Sequence, residues 1–266
     1  MANDANLNTQ KKEEEHNKIK GVFSLQTLMK VGTGTTQRKT IQKNYWFAKE
    51  VENDMIEVQP LNVNYVPSGP KKLISKDEFL DKFSPEPEFY TYTVYPKMRE
   101  LNKTIARADR HRKRGETYSA EFEYKNALNI DEENIRANFG LGLTYLERGD
   151  KEKANDIFER LVKLDAAFEA EHKHLFNEFG INLRKQKMYD QAVDYYSRAL
   201  ELSPNDENLH YNIARAYFGQ NKIDQTLAHL KKALELNPDL EEAKKFIEFL
   251  EKKRLIPEGT INTITS

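Results

Sequence analysis

Residues 198–202 read Arg-Ala-Leu-Glu-Leu, and residues 232–236 read Lys-Ala-Leu-Glu-Leu. Two looser copies of this block come earlier, Asn-Ala-Leu-Asn-Ile at 126–130 and Arg-Leu-Val-Lys-Leu at 160–164. Successive blocks therefore start 34, 38 and 34 positions apart. A fixed period of about 20–50 residues is the signature of stacked repeats, in which one unit cannot bury its apolar face alone. The spacing predicts four similar units over much of the chain.

Small and aromatic residues recur at matching positions within these units. The small residues are Gly142, Gly180 and Ala214 at one position and Ala120, Ala154 and Ala192 at a second, which Tyr124, Phe158 and Tyr196 follow four residues later. This pattern closely resembles the tetratricopeptide repeat, a helix–turn–helix unit of about 34 residues. The resemblance covers residues 101–254 and implies a right-handed α-solenoid of helix pairs. The implied units are about 101–134, 135–168, 173–206 and 207–240, and a closing helix follows at 241–255.

A different pattern precedes the repeats. Residues 44–51 are rich in strand-forming residues, 52–54 supply a turn, and 55–58 resume the strand pattern, which predicts a hairpin. Ser75, with Glu78 three residues later, forms a capping-box pattern that predicts a short helix. Two further stretches are predicted to be extended, 61–66 and the aromatic-rich 89–95.

These patterns divide the chain into four parts. The fold class is mainly α, with a small β-containing domain at 19–96 before the repeat solenoid at 97–256. We recognise no family in the β-containing domain. Residues 1–18 are predicted to be a disordered polar tail, because they are charged and nearly free of apolar residues. Residues 257–266 are predicted to be a second tail.

Composition excludes several classes of protein. The chain has 266 residues, 38% of them hydrophobic and 32% charged, and it contains no Cys, which excludes disulfides, thiolate zinc sites and Cys nucleophiles. No apolar run approaches the roughly 20 residues of a membrane-spanning helix. The first 18 residues also lack the apolar stretch of a signal peptide. We therefore expect a cytoplasmic protein.

No set of residues indicates catalysis. The phosphate-binding motif GxxxxGK[ST] and the metalloprotease motif HExxH are both missing. The glycines in Gly32-Thr-Gly34 predict only a flexible loop. His172 and His174 stand two positions apart, and on a helix that spacing points two side chains away from each other. The sequence therefore predicts a non-enzyme with no cofactor and no metal site.

The concave surface is where the resemblance implies that a partner binds, because the first helices of successive pairs line it. The residues expected there are Arg112, Arg136, Phe139, Leu143, Asn177, Arg184, Tyr211, Asn212, Arg215 and Phe218. Aromatic side chains can bury partner groups, and guanidinium groups pair with carboxylates. We therefore expect a scaffold or adaptor that binds a protein segment, acidic or with a free carboxylate. The other interpretation of the aromatic residues is that they pack helices together.

Residues 97–114 form a strongly basic segment, with eight basic and two acidic residues. Three interpretations compete for it. It is a solvated helix face, it docks on an acidic protein surface such as that of a second copy, or it contacts nucleic acid. The segment lacks the interleaved aromatic residues that stack on bases, so the nucleic-acid function is the less favoured alternative.

Overall fold

The computed structural model describes residues 18–31 and 38–265, and the side chains of 28–31, 38–40, 170, 263 and 265 are outside the description. The predicted tail at 1–18, except for Lys18, and the predicted loop Gly32-Thr-Gly34 lie outside the described residues. The chain divides into two compact units, Met1–Ala106 with Asn126–Asn134, and Arg107–Lys125 with Ile135–Ser266. The sequence instead suggested a single boundary near residue 97.

An antiparallel five-stranded sheet forms the body of the first unit. The strands are β1 Lys20–Val31, β2 Arg38–Glu50, β3 Met55–Pro60, β4 Lys72–Ser75 and β5 Phe83–Pro85, in the order β4-β3-β2-β1-β5. The predicted hairpin is β2–β3, and its turn holds Asn53 and Asp54 at positive φ. Helix α1, Lys76–Lys82, begins as predicted, because the Ser75 side chain accepts a hydrogen bond from the backbone N–H of Glu78.

Aromatic and aliphatic side chains join α1 to the sheet. Phe79 has no exposed surface and lies with Ala48, Ile56 and Val58 in one core cluster. Its ring packs edge-on against Phe23, with 4.7 Å between the ring centroids. Burial of such side chains is the main stabilising contribution in a domain this small.

The segment predicted to be extended at 61–66 is instead a loop, with one isolated bridge between Leu61 and Pro67. Its side chains bind the end of helix α3, Thr117–Ile130. Asn62 and Asn64 donate Nδ2 hydrogen bonds to the carbonyl oxygen of Ile130, at 2.8 and 2.9 Å. Ser68 donates to a carboxylate oxygen of Asp131 at 2.6 Å. These bonds explain why 126–134 belongs to the first unit.

The prediction of an extended stretch at 89–95 is wrong. Helical turns run through Pro87–Phe89 and Tyr90–Val94 and lead directly into helix α2, Tyr95–Lys113. The Phe89 ring packs against Tyr45 and Tyr65, with centroid distances of 4.5 and 5.3 Å. These tertiary contacts override the strand preference of alternating Tyr and Thr.

Successive helices of the second unit pack as the repeat pattern predicts. After α3 the helices are α4 Ile135–Arg148, α5 Lys151–Leu161, α6 Lys173–Lys185, α7 Tyr189–Leu202, α8 Glu207–Gly219, α9 Ile223–Leu236, α10 Glu241–Lys252 and α11 Thr260–Thr265. The pairs α4–α5, α6–α7 and α8–α9 are in contact, α4 also packs on α6, and α10 closes the series against α9. The chain is therefore mainly α, with a small β sheet near its beginning.

A small residue is needed where α6 meets α7. A Cβ atom on Gly180 would lie 2.3 Å from the hydroxyl oxygen of Tyr196, well inside van der Waals contact. The prediction that Gly180 lies where the helices of one pair touch is confirmed. Gly142 serves a neighbouring contact, because a Cβ there would lie 2.6 Å from the Phe179 ring.

The chain departs from the repeat period after α5 and after α10. Two short 3-10 turns, Asp165–Phe168 and Ala170–His172, occupy the insertion between the second and third units. The prediction of a tail at 257–266 is wrong, because α11 lies there. Ile261 and Ile264 pack against the core cluster that includes Ile247 and Leu250.

Candidate functional site

Two of the predicted partner-binding residues lie in the core. Phe139 and Leu143 have 0% exposed surface, so a partner cannot touch them, and their assignment to the site is wrong. Helix α4 packs on both α5 and α6, which covers nearly its whole circumference. The Phe139 ring lies edge-on to Phe179 at 5.7 Å, as a packing residue does. The remaining eight predicted residues line three clefts of the second unit.

Arg112 and Arg136 line a cleft of about 630 Å³ that already contains carboxylates. Nη1 of Arg112 lies 2.6 Å from Glu147 and 3.0 Å from Glu178, and Arg136 pairs with Asp109. Burial opposes the charged form of Arg112, but the two glutamates outweigh burial and raise its pKa. The charges of both guanidinium groups are therefore paired within the chain, although Nε of Arg112 is buried without a hydrogen-bond partner.

Arg184 and Arg215 line a cleft of about 400 Å³ whose charges are all positive; we call it the arginine cleft. Its lining residues are Ile181, Arg184, Lys185, Tyr189, Arg215, Phe218, Gly219 and Phe246. Neither arginine forms an ion pair within the described residues, and Nε of Arg184 is buried without a hydrogen-bond partner. The guanidinium carbon of Arg215 lies 5.7 Å from the centroid of the Tyr211 ring.

The electrostatics of Arg184 are those of an unpaired, partly buried cation. Burial lowers the pKa of Arg184, and the positive charge of Arg215 lowers it further, while Tyr196 opposes the shift. The hydroxyl of Tyr196 is itself buried without a hydrogen-bond partner. A buried cation without a counterion is costly, because desolvation removes its water, and Tyr196 offsets only part of that loss for Arg184. An anion that entered this cleft would remove that cost.

Asn177, Tyr211 and Asn212 line an adjoining cleft of about 560 Å³, which we call the asparagine cleft. Asn177 comes from α6, and Tyr211 and Asn212 come from α8. Ile181, 38% exposed, lines both this cleft and the arginine cleft, so the two are neighbours. Amide groups beside aromatic rings can hydrogen-bond a peptide backbone while the rings bury its side chains.

The sequence prediction missed Phe246 as a site residue. Its position in the apolar stripe of α10 predicts a core residue, and it does pack on the core cluster. Its ring also lies edge-on to Phe218 at 5.3 Å and lines the arginine cleft. The exposed Phe249 contacts both rings and extends this aromatic surface. A helix that closes a repeat array has one face without a following repeat, which is the signal that could have found it.

The described residues contain neither a candidate metal site nor a membrane-spanning helix. No group of three or more His, Asp or Glu side chains in residues 18–31 and 38–265 is placed to hold a metal ion. His172 uses Nδ1 for a contact of 2.9 Å with the carbonyl oxygen of Ala166. In the same part of the chain, the helices are too short or too polar to cross a membrane.

Family models match two parts of the second unit. Residues 136–166 match one model of the tetratricopeptide repeat, and residues 183–248 match another. These segments are tetratricopeptide repeats. The matches begin within α4 and end within α10, so they agree with the resemblance seen in the sequence. Repeats of this family support a role as a protein-interaction scaffold.

Curated relatives share part of the chain. Anaphase-promoting complex subunit cut9 of Schizosaccharomyces pombe is 31% identical over 102 residues, which cover 37% of this chain and 15% of that protein. The BBSome complex member BBS4 homolog of Drosophila melanogaster is 25% identical over 140 residues, covering 53% of this chain and 28% of that protein. The matched region thus spans less than a third of the length of either relative.

Solved structures of repeat proteins are similar to part of the chain. MamA of Desulfovibrio magneticus RS-1 has a TM-score of 0.46 at 19% identity, covering 62% of this chain and 90% of that one. PilF of Pseudomonas aeruginosa has a TM-score of 0.45 at 20% identity, covering 64% of this chain and 77% of that one.

Proposed function

We propose that this protein is a non-catalytic scaffold that binds a segment of a partner protein in the arginine cleft and the adjoining asparagine cleft. The observation that carries the proposal is the unpaired state of Arg184 and Arg215. Both arginines lie in one cleft, and that cleft has no acidic lining residue. The expected ligand is a segment with a carboxylate, either an Asp or Glu side chain or a free C-terminus.

The energetics favour a carboxylate over a neutral group. A hydrogen bond to a charged group contributes about 1.5–3 kcal/mol, about twice the contribution of a bond between neutral groups. Phe218 and Phe246 supply an apolar wall beside the charges. Aromatic residues and arginines dominate the energy of many protein interfaces, and this cleft combines both.

The asparagine cleft gives the bound segment a direction. A residue held at Arg184 continues past Ile181 toward Asn177 and Asn212, whose amides can bind the backbone of the segment. The curated relatives are named as members of the anaphase-promoting complex and of the BBSome complex. By analogy, we propose that this chain also acts within a multiprotein assembly, located in the cytoplasm. Self-association remains a further proposal.

Selection from a displayed peptide library tests this function. The full chain is the bait, together with an Arg184→Ala/Arg215→Ala variant and an Arg110→Ala/Arg114→Ala control, which removes two exposed arginines elsewhere. We expect peptides with an acidic residue or free C-terminus to be enriched by the wild type and by the control. The arginine-cleft variant should lose that enrichment. Identical peptide sets from all three baits would refute the proposal.

Nucleic-acid binding by residues 97–114 is the less favoured function. The segment lies almost wholly on α2, and ion pairs within the protein engage three of its eight basic residues, Lys97, Arg107 and Arg112. Arg107 pairs with Glu123 at 3.1 Å, and Arg112 is held by two glutamates. Charge that is already neutralised within the protein contributes little to phosphate binding.

A further inference from the structure

The arginine cleft carries more positive charge than a single carboxylate neutralises. Arg184, Lys185 and Arg215 line it, and its lining includes no Asp or Glu. Within residues 18–31 and 38–265, none of these three cations forms an ion pair. Lys185 and Arg215 are exposed, whereas Arg184 is partly buried. One bound carboxylate would therefore leave most of the charge of the cleft unpaired.

The second cleft that contains arginines shows how the same unit neutralises such charges elsewhere. There Nη1 of Arg112 lies 2.6 Å from a carboxylate oxygen of Glu147 and 3.0 Å from one of Glu178. Arg136 pairs with Asp109 in the same cleft. The unpaired cations are therefore a particular property of the arginine cleft and do not follow from the repeat fold.

The guanidinium groups of Arg184 and Arg215 lie close enough to repel each other. Arg184 comes from the last turn of α6 and Arg215 from α8. Burial lowers the pKa of Arg184, and the charge of Arg215 lowers it further. The dipole of α6 favours a cation in its last turn, yet the buried Nε–H group of Arg184 still has no acceptor. A ligand that bridges both guanidinium groups would relieve the repulsion and supply that acceptor.

A phosphate group matches this arrangement better than a carboxylate does. A phosphorylated side chain carries a charge of about −1.5 to −2 and has three terminal oxygens that accept hydrogen bonds. A carboxylate carries a single charge and has two oxygens. Each guanidinium presents its N–H groups in a planar fork that matches phosphate oxygens. One phosphate can therefore engage both arginines, and Lys185 adds a third positive charge beside them.

We propose that the arginine cleft recognises a phosphorylated side chain of the partner segment, so that phosphorylation of the partner strengthens binding. This inference rests on the proposed function, because it concerns the same cleft and the same bound segment. Phe218 and Phe246 line the cleft, where they can bury an apolar residue next to the phosphorylated one. A modification that adds negative charge opposite an arginine cluster is a common regulatory switch.

Nucleic acids and anionic membranes also present phosphate groups, but they fit this surface less well. Both carry many phosphates side by side, whereas the three cations lie together in one cleft of about 400 Å³. The adjoining asparagine cleft contains the carboxylates of Asp206 and Glu242. Lys173 lies 3.6 Å from Asp206, whereas Glu242 is exposed and would repel the next phosphates of a polyanion. The charge pattern favours a single phosphate on a peptide.

A peptide microarray with matched central residues tests the inference. Short peptides with the same flanking residues are printed with Ser, Glu or phosphoserine at the centre and are probed with the labelled full chain. The best matched set is then measured by fluorescence anisotropy against the wild type, the Arg184→Ala/Arg215→Ala variant and the Arg110→Ala/Arg114→Ala control. Circular dichroism shows whether the cleft variant folds. If it does not, Lys185→Gln and Arg215→Gln, both at exposed positions, carry the test singly.

We expect the phosphoserine form to bind the wild type and the control with a Kd about tenfold or more below that of the Glu form, a difference of at least about 1.4 kcal/mol. In the cleft variant the two Kd values should agree within about twofold. A phosphoserine form that binds the wild type no tighter than the Glu form would overturn this inference and leave the proposed function standing. Glu and phosphoserine forms that bind no tighter than the Ser form would overturn both. Displacement of the phosphopeptide by inorganic phosphate or by a DNA duplex at equal phosphate concentration would also overturn the inference, because the cleft would then bind phosphate without the peptide.

Discussion

Replacing Gly180 by alanine tests how the helix pair α6–α7 packs. The new Cβ would lie 2.3 Å from the Tyr196 hydroxyl oxygen and 2.5 Å from its Cζ atom. The Tyr196 ring cannot move away easily, because it is fully buried and packs against Phe176 and Tyr195. Overpacking of this kind costs about 1–3 kcal/mol. The gain in helix propensity from Gly to Ala is about 1 kcal/mol, so the net loss should be about 0–2 kcal/mol.

Urea unfolding of two matched backgrounds separates these opposing effects. In the wild type, Gly180→Ala should lower the unfolding midpoint. In a Tyr196→Leu background the clashing ring atoms are gone, so the same substitution should raise stability by about 0.5–1 kcal/mol through propensity alone. A reversal of sign is therefore expected. If Gly180→Ala stabilises the wild type, or has the same effect in both backgrounds, the close contact does not exist as described.

Three further substitutions test other contacts. Leu143→Ala should lower the free energy of unfolding in urea by about 2–5 kcal/mol and leave peptide affinity unchanged, because Leu143 is a core residue. Reduced peptide affinity with unchanged stability would show that Leu143 belongs to the binding site. Asn62→Ala should lower the free energy of unfolding by about 1–3 kcal/mol, whereas replacement of the exposed Asn102 by Ala should change it by less than about 0.5 kcal/mol. Equal effects would show that the loop at 61–66 does not stabilise the end of α3. Nδ1 of His210 lies 3.1 Å from Nδ1 of His229, and burial lowers the pKa of both side chains. The unfolded chain therefore binds more protons than the folded chain, and the free energy of unfolding should fall as the pH drops below about 6.5. His229→Phe should flatten that pH dependence between pH 7.5 and 5, and an unchanged dependence would assign it to other groups.

The repeats were predictable from the sequence because their constraint is local and recurs. Position 180 requires a small residue because Tyr196, sixteen residues later, occupies the space beside it. The repeat period places a small residue opposite an aromatic residue in the same way in other helix pairs. Residues 89–95 were not predictable, since alternating Tyr and Thr favours a strand, and contacts with distant residues such as Tyr45, Phe47 and Tyr65 decide otherwise. Helix α11 was also missed, because Ile261 and Ile264 find their apolar partners in an earlier part of the chain.

The candidate site was predictable only in part. Position within the repeat selected Arg184 and Arg215, which line a cleft, but the same rule selected Phe139, which is buried. Both α4 and α8 have helices packed on two sides, so the difference lies in the side of its helix that each residue occupies. Phe139 packs on the Phe179 ring, whereas Arg215 remains exposed. The charge state of a cleft likewise depends on pairings such as Arg112 with Glu147, which the sequence pattern does not contain.

The claim that Arg184 and Arg215 bind a carboxylate is tested most directly by a double-mutant cycle with a selected peptide. Isothermal titration calorimetry compares the peptide with its neutral form, in which Glu becomes Gln or the C-terminus is amidated. Against the wild-type chain, neutralising the carboxylate should weaken binding by about 1.5–3 kcal/mol. Against Arg184→Ala/Arg215→Ala the same change should cost less than about 0.5 kcal/mol, because the partner charge is gone. An equal loss against both proteins would contradict the claim and place the bound carboxylate away from the arginine cleft.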